Sequence, residues 1–117
     1  MAKPNVQLSA HSPWRTEPGT LKATYLIQPQ DDYGQLIWHT EIKRQRNNWR
    51  DKTIASNDGI IAIAEKGKKY PLELLCPCEK SGSNKYFAKI TVQVQSLSDA
   101  EKDESPVVDL TCTPNEA

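Results

Sequence analysis

The strongest constraint on the fold is a strict two-residue alternation near the end of the chain. Tyr86, Ala88, Ile90, Val92 and Val94 are apolar, while the residues between them from position 89 onward are polar. Successive side chains of a strand point to opposite faces of a sheet. The pattern therefore predicts a β-strand with one buried face.

The same alternation recurs elsewhere, with turn residues between the runs. It predicts further strands at 6–10, 21–27, 36–42, 53–56, 70–78 and 107–112. Loops are predicted at 57–59, 79–85 and 96–105, and Trp14 is expected to pack over one end of the core. The inner faces of these strands predict a core of Leu21, Ala23, Tyr25, Ile27, Leu36, Trp38, Ile42, Leu72, Leu74, Ile90, Val92 and Val94.

The number and spacing of the strands indicate the fold class. About seven short strands with regular turn signals are typical of an antiparallel sandwich or a small barrel. We predict one all-β domain over 1–117, an antiparallel β-sandwich of immunoglobulin-like or fibronectin-like architecture, with a polar N-terminal segment at 1–20 and a polar tail at 113–117. A small OB-type barrel is the alternative. Residues 60–66 fit a short helix or a strand, and the neighbouring strands favour a strand.

The charge balance and the hydropathy of the chain argue against two classes of protein, those that coat nucleic acid and those that bind or span membranes. The 117 residues carry fifteen basic and fifteen acidic side chains, a formal net charge of zero, which argues against a protein that coats nucleic acid or an anionic membrane. No apolar run approaches the roughly 20 residues of a membrane helix, and the N-terminus lacks the apolar stretch of a secretory signal. We therefore predict a cytoplasmic location, with a domain excised from a longer or exported chain as the alternative.

Three cysteines, Cys76, Cys78 and Cys112, fall on the inward faces of their predicted strands. Three readings stay open: buried free thiols, a disulfide between Cys112 and one of the other two, or a zinc site completed by His11 or His39. Two cysteines separated by one residue on a strand are uncommon as zinc ligands. We therefore predict no metal and no cofactor, and the metal site remains a weak alternative.

A basic segment at 43–52 is the candidate binding surface. Lysine and arginine contact phosphates, and an exposed tryptophan can stack on a base. The same residues also suit a solvated hairpin in which basic side chains pack on the indole. The candidate binding residues are Lys43, Arg44, Arg46, Trp49, Arg50 and Lys52.

No set of residues suggests catalysis. His39 and Glu41 share one strand face, but the chain has no nucleophile-elbow sequence and no glycine-rich phosphate loop. We therefore predict a non-catalytic binding or structural module that contacts another protein. Binding of single-stranded nucleic acid through 43–52 is the alternative function. An exposed strand edge near Pro71 and Pro77 is a further place where a partner strand could add.

Overall fold

The computed structural model describes residues 3–17, 19–46, 50–78 and 82–112, and these residues form strands and connecting loops. In the described part of the chain, no helix is long and apolar enough to span a membrane. The nine strands of these residues are β1 Val6–Ala10, β2 Trp14–Glu17, β3 Thr20–Pro29, β4 Leu36–Gln45, β5 Lys52–Ile61, β6 Tyr70–Pro77, β7 Ser83–Gln93, β8 Glu101–Glu104 and β9 Val108–Thr111.

The strands form two antiparallel sheets that pack face to face. In the first sheet β3 is central, with β6 on one side and β1 and β2, one after the other, on the opposite side. In the second sheet the order is β5-β4-β7, and β8 and β9 share the far side of β7. The predicted all-β sandwich is confirmed, and the barrel alternative is wrong because the strands divide into two sheets.

The core lies between the sheets and follows the predicted alternation. Of the residues expected there, only Trp38 and Leu72 are partly exposed, and both still pack against the buried cluster. Tyr25 links the two layers, because its hydroxyl donates a hydrogen bond of 2.6 Å to the backbone oxygen of Glu41 on β4. The other buried residues in the described part of the chain are Pro4, Val6, Ala10, Pro13, Gly19, Pro29, Thr40, Arg44, Ala64, Cys76, Cys78, Tyr86, Phe87, Ala88, Ser105 and Cys112.

Several local predictions need correction. Residues 57–59, predicted as a turn, lie inside β5, since Gly59 pairs with Trp38 and its lack of a Cβ makes room for the indole ring. Strand β5 ends at Ile61, so the predicted strand at 60–66 is wrong beyond that residue, and Ala64 forms only an isolated bridge. The predicted loop at 96–105 contains β8, which pairs with β7. The predicted loop at 79–85 is also too long, because β7 begins at Ser83.

Trp14 does not cover the core. Its side chain lies on β2 at 39% exposure, with the ammonium of Lys22 at 5.9 Å from the ring centroid. Lys22 in turn forms a 3.1 Å ion pair with Glu73. The indole therefore belongs to the outer face of the first sheet.

One side of the sandwich is closed by polar links between the sheets. The N–H of Ala10 on β1 donates to Asp103 Oδ2 on β8 at 2.9 Å, and Ser12 Oγ donates to the oxygen of Pro106 at 3.0 Å. On the opposite side β5 and β6 are the outermost strands, and each pairs with a single strand among the described residues. The printed side-chain links between the sheets therefore lie on the β1–β8 side.

Candidate functional site

The outer face of the second sheet carries a polar cluster centred on His39. Its Nδ1 contacts Asp58 Oδ1 on β5, and its Nε2 lies 3.8 Å from Glu41 Oε1 on the same strand. Glu41 Oε2 accepts a 3.0 Å hydrogen bond from Thr53 Oγ1 and lies 4.0 Å from Lys43 Nζ. We call His39, Glu41 and Asp58 the His39 cluster. His39 and Glu41 share this face as the alternation predicts, and the closer partner of His39 is Asp58.

Two isoleucines lie beside this cluster. Ile37 on β4 and Ile60 on β5 are direct cross-strand partners, and they are 37% and 59% exposed. Ile37 also borders a shallow depression of about 250 Å³ that reaches His39, Thr91 and Gln93. We call Ile37 and Ile60 the isoleucine pair. The alternation that predicts Leu36 and Trp38 in the core places Ile37 between them on the outward face, whereas the ambiguity at 60–66 left the position of Ile60 open.

The described residues of the basic segment at 43–52 do not all lie on one surface. Lys43 lies on the outer face of β4 next to Glu41, whereas Arg44 follows the inward alternation of β4 and is only 8% exposed. The expectation that Arg44 contributes to an exposed binding surface is therefore wrong. Arg46 and Arg50 are exposed, and Arg46 Nε donates a 2.8 Å hydrogen bond to the oxygen of Arg50. Lys52 is exposed at the start of β5, and Trp49 lies outside the described residues.

The cysteines are resolved as one disulfide and one thiol. Cys78 and Cys112 form a disulfide with a Cα–Cα distance of 5.6 Å, while Cys76 is a buried thiol outside that bond. The bond joins the residue after β6 to the residue after β9, and so links the two sheets. It uses two of the three thiols that the zinc alternative requires, so the disulfide and a zinc site on these cysteines are mutually exclusive. The other suggested ligands lie elsewhere, with His39 bound to Asp58 and His11 in the exposed segment after β1.

One ionisable group in the core has a perturbed pKa. Burial raises the pKa of the Tyr25 phenol well above its ordinary value of about 10, and the nearby Cys76 and Glu41 raise it further. The hydroxyl therefore remains protonated and acts as the donor to the Glu41 oxygen. Its position between the sheets indicates a role in stability.

Comparison with known proteins supports the fold. No family model matches the chain, and no curated protein sequence matches it. Among solved structures, it is similar to the crystal structure of Spo0M, a sporulation control protein from Bacillus subtilis. The TM-score is 0.50 over 95% of this chain, with 10% sequence identity, and the match covers 50% of the Spo0M chain. At this identity the likeness concerns the fold alone, and this chain spans about half the length of Spo0M.

Proposed function

We propose that this chain is a non-catalytic β-sandwich module that binds another protein. The observation that carries the proposal is the isoleucine pair, two large apolar side chains exposed side by side and bordered by the His39 cluster. Single exposed apolar residues are ordinary on protein surfaces, but adjacent ones with a polar rim are typical of protein contact sites. The pair lies on regular strands, so the surface is preformed.

The contacts of the His39 cluster support a role without catalysis. His39 contacts Asp58 with one ring nitrogen, and Glu41 accepts from Thr53 and lies near Lys43. Such contacts between neighbouring strands stabilise a sheet face. A catalytic histidine would in addition require a nucleophile or a substrate group within hydrogen-bond reach.

We further infer that the sandwich is immunoglobulin-like. If β1 and β2 count as one interrupted edge strand, and β8 and β9 as another, the nine segments become seven strands, three in one sheet and four in the other. The chain crosses between the sheets after β3, β5 and β6. Two packed antiparallel sheets with crossing connections of this kind are typical of immunoglobulin-like domains.

The disulfide supports an oxidising compartment over the cytoplasm. Bonds of this kind persist in secreted and extracellular proteins and are rare in the cytosol. We therefore propose the exported alternative for this domain. Protein isolated from its source without reductant should contain one alkylatable thiol, and three alkylatable thiols would contradict the proposal.

Site-specific photo-crosslinking in the cells of origin tests the protein-binding function. A photoreactive amino acid at position 60 should give a discrete adduct with another protein, because this side chain is the more exposed member of the isoleucine pair. The matched control places the same residue at Glu73, which is exposed on the opposite sheet. Equal labelling from both positions, or none from position 60, would contradict the proposal.

A second candidate function is binding of single-stranded nucleic acid. It is supported by the Arg46–Arg50 hydrogen bond, which places two exposed guanidinium side chains in one loop, with Lys52 two residues further on. Phosphate binding weakens steeply with salt. Fluorescence anisotropy with a labelled oligonucleotide should show that weakening, and replacement of all three residues by glutamine should abolish binding. Binding unaffected by the triple replacement would exclude this surface.

A further inference from the structure

The sandwich leaves two strands, β5 and β6, at the edges of its open side. On the closed side, Asp103 of β8 accepts the N–H of Ala10 on β1. On the open side, β5 pairs only with β4 and β6 only with β3 among the described residues. An edge strand presents backbone N–H and C=O groups with which another chain can pair. Both β5 and β6 are therefore edge strands, and their outward backbone groups decide whether another strand can add.

The edge of β6 is a poor acceptor of a strand. The N–H of Cys78 donates to the oxygen of Gly19 at 2.7 Å, so even-numbered residues of this stretch direct their backbone groups toward β3. Odd-numbered residues face away, and they include Pro71 and Pro77. Proline has no N–H, and prolines on an edge oppose pairing with further strands. The edge near Pro71 and Pro77, a candidate from the sequence, is therefore largely blocked.

The edge of β5 has the opposite character, and the register shows which residues face outward. Ser105 N–H donates to the oxygen of Ala88, so even-numbered residues of β7 face away from β4 and odd-numbered ones face it. The β4–β7 register then directs odd-numbered residues of β4 to β7 and even-numbered ones to β5. Even-numbered residues of β4 pair with Ala55, Asn57 and Gly59.

It follows that Ser56, Asp58 and Ile60 direct their backbone groups to the free edge. The contacts of Asp58 agree with this, because its N–H donates to the side-chain oxygen of Asn57 at 3.0 Å. The side-chain oxygen of Asn57 thus takes the place of the backbone acceptor that a neighbouring strand would provide. The three outward residues are free of proline, in contrast to β6.

The side chains of the same residues define what an added strand would meet. Ile60 is 59% exposed and Asp58 has a side chain that is 75% exposed, and both point to the outer face of the sheet. An added strand would place its own alternate side chains beside them. We propose that the β5 edge binds an extended peptide segment of another protein, with an apolar residue opposite Ile60 and a basic residue opposite Asp58. This inference rests on the proposed protein-binding function and specifies its mode.

The bulge in β5 sets the length of the site. The pairing shifts between Ile42 and Lys43, which leaves Ile54 without a direct partner on β4. A bulge disrupts the regular ladder and bends the strand. The regular edge therefore runs from Ala55 to Ile61, about 20 Å at roughly 3.3 Å per residue.

A second copy of the chain fits this edge less well. An antiparallel β5–β5 contact that pairs all three outward residues of both copies places Ser56 opposite Ile60 and Asp58 opposite Asp58. Like charges directly opposite each other destabilise a strand pair. A basic residue at that position of a different chain removes the repulsion and adds a favourable pair, so a heterologous peptide is the better occupant.

Peptide-phage display with random nine-residue peptides tests the proposal on the full chain with its disulfide intact. Selected peptides should share an apolar and a basic residue two positions apart, and the Asp58→Lys variant should instead select an acidic residue. An N-methyl scan of one selected peptide should weaken binding about tenfold or more at every second position, because only alternate N–H groups face β5. Equal affinity at all N-methyl positions overturns strand addition while leaving protein binding intact.

A matched pair of protein variants gives the complementary measurement. Ser56→Pro removes one outward N–H and should weaken peptide binding about tenfold, whereas Ser56→Ala keeps that N–H and should bind within about twofold of the parent chain. If no peptide is selected but position 60 still crosslinks to a protein, strand addition fails and the proposed function stands. If neither occurs, both fail. A dimer in sedimentation velocity that Ser56→Pro abolishes would assign the edge to a second copy and overturn the peptide occupant.

Discussion

Replacement of Ser105 by alanine isolates one buried hydrogen bond. Ser105 Oγ accepts the N–H of Ala88 at 2.8 Å and donates to the oxygen of Pro106 at 3.1 Å, in the gap between β8 and β9 where no strand pairs with β7. Ala88 is fully buried, so the Ser105→Ala variant leaves its N–H without that acceptor and without access to water. A buried donor left unsatisfied destabilises a fold by about 1–3 kcal/mol. We expect the free energy of unfolding to fall by about 2 kcal/mol and the Tm by about 8 °C.

Urea denaturation followed by tryptophan fluorescence measures this loss, and Ser12→Ala is the matched control. Ser12 Oγ also donates to the oxygen of Pro106, at 3.0 Å, but from an exposed site. Its removal leaves no buried group unpaired, so we expect a change of less than about 0.5 kcal/mol. Equal losses in the two variants would refute the reasoning, because the effect would then not depend on burial of the orphaned N–H.

Three further variants test the packing between and within the sheets. Gly59→Ala places a Cβ 2.2 Å from the Trp38 ring, and circular dichroism melting should show a loss of about 1–3 kcal/mol because the ring must move. Tyr25→Phe should lower the free energy of unfolding by about 1 kcal/mol at neutral pH, because the hydrogen bond to Glu41 is lost. The parent chain should also lose stability as the pH rises above about 10, since the unfolded phenol ionises there while the raised pKa keeps the folded phenol protonated. The variant should lack this loss. The Cys78→Ala/Cys112→Ala variant should lose about 4 kcal/mol in chemical denaturation, from the loop of 34 residues that the bond closes.

The sequence was sufficient for the fold class because alternation is a local property. Each long strand buries one face, so the pattern around Tyr25 or Ile90 reports burial without knowledge of the partner strand. Turn residues were less informative. Asn-Asp-Gly at 57–59 is typical of a turn, yet β5 runs through it because Trp38 fills the space that Gly59 leaves. This departure from the predicted turn depends on a long-range contact, which the local sequence does not contain.

The sequence was less informative about the surface, and Arg44 illustrates why. The inward alternation of β4 continues from Ile42 to Arg44, and extrapolation of that period would have predicted burial of the arginine. Composition favoured the opposite interpretation, since clustered basic residues usually lie in solvent. For residues at the end of a strand, the period of the strand was therefore a better guide to exposure than the charge of the segment.

The position of the free edge required the register of both sheets. Pro71 and Pro77 correctly indicated an edge strand, and β6 lies at the edge of its sheet among the described residues. The same prolines remove the N–H donors that a partner strand needs, so the residues that indicate an edge strand in the sequence also prevent strand addition there. An edge that can accept a strand has no comparable marker in the sequence, because Ser56 and Asp58 differ from residues of interior strands only in lacking a neighbouring strand on one side. Strand-addition sites are for this reason found from sheet topology and register, and the prolines in the sequence indicate mainly where such sites are absent.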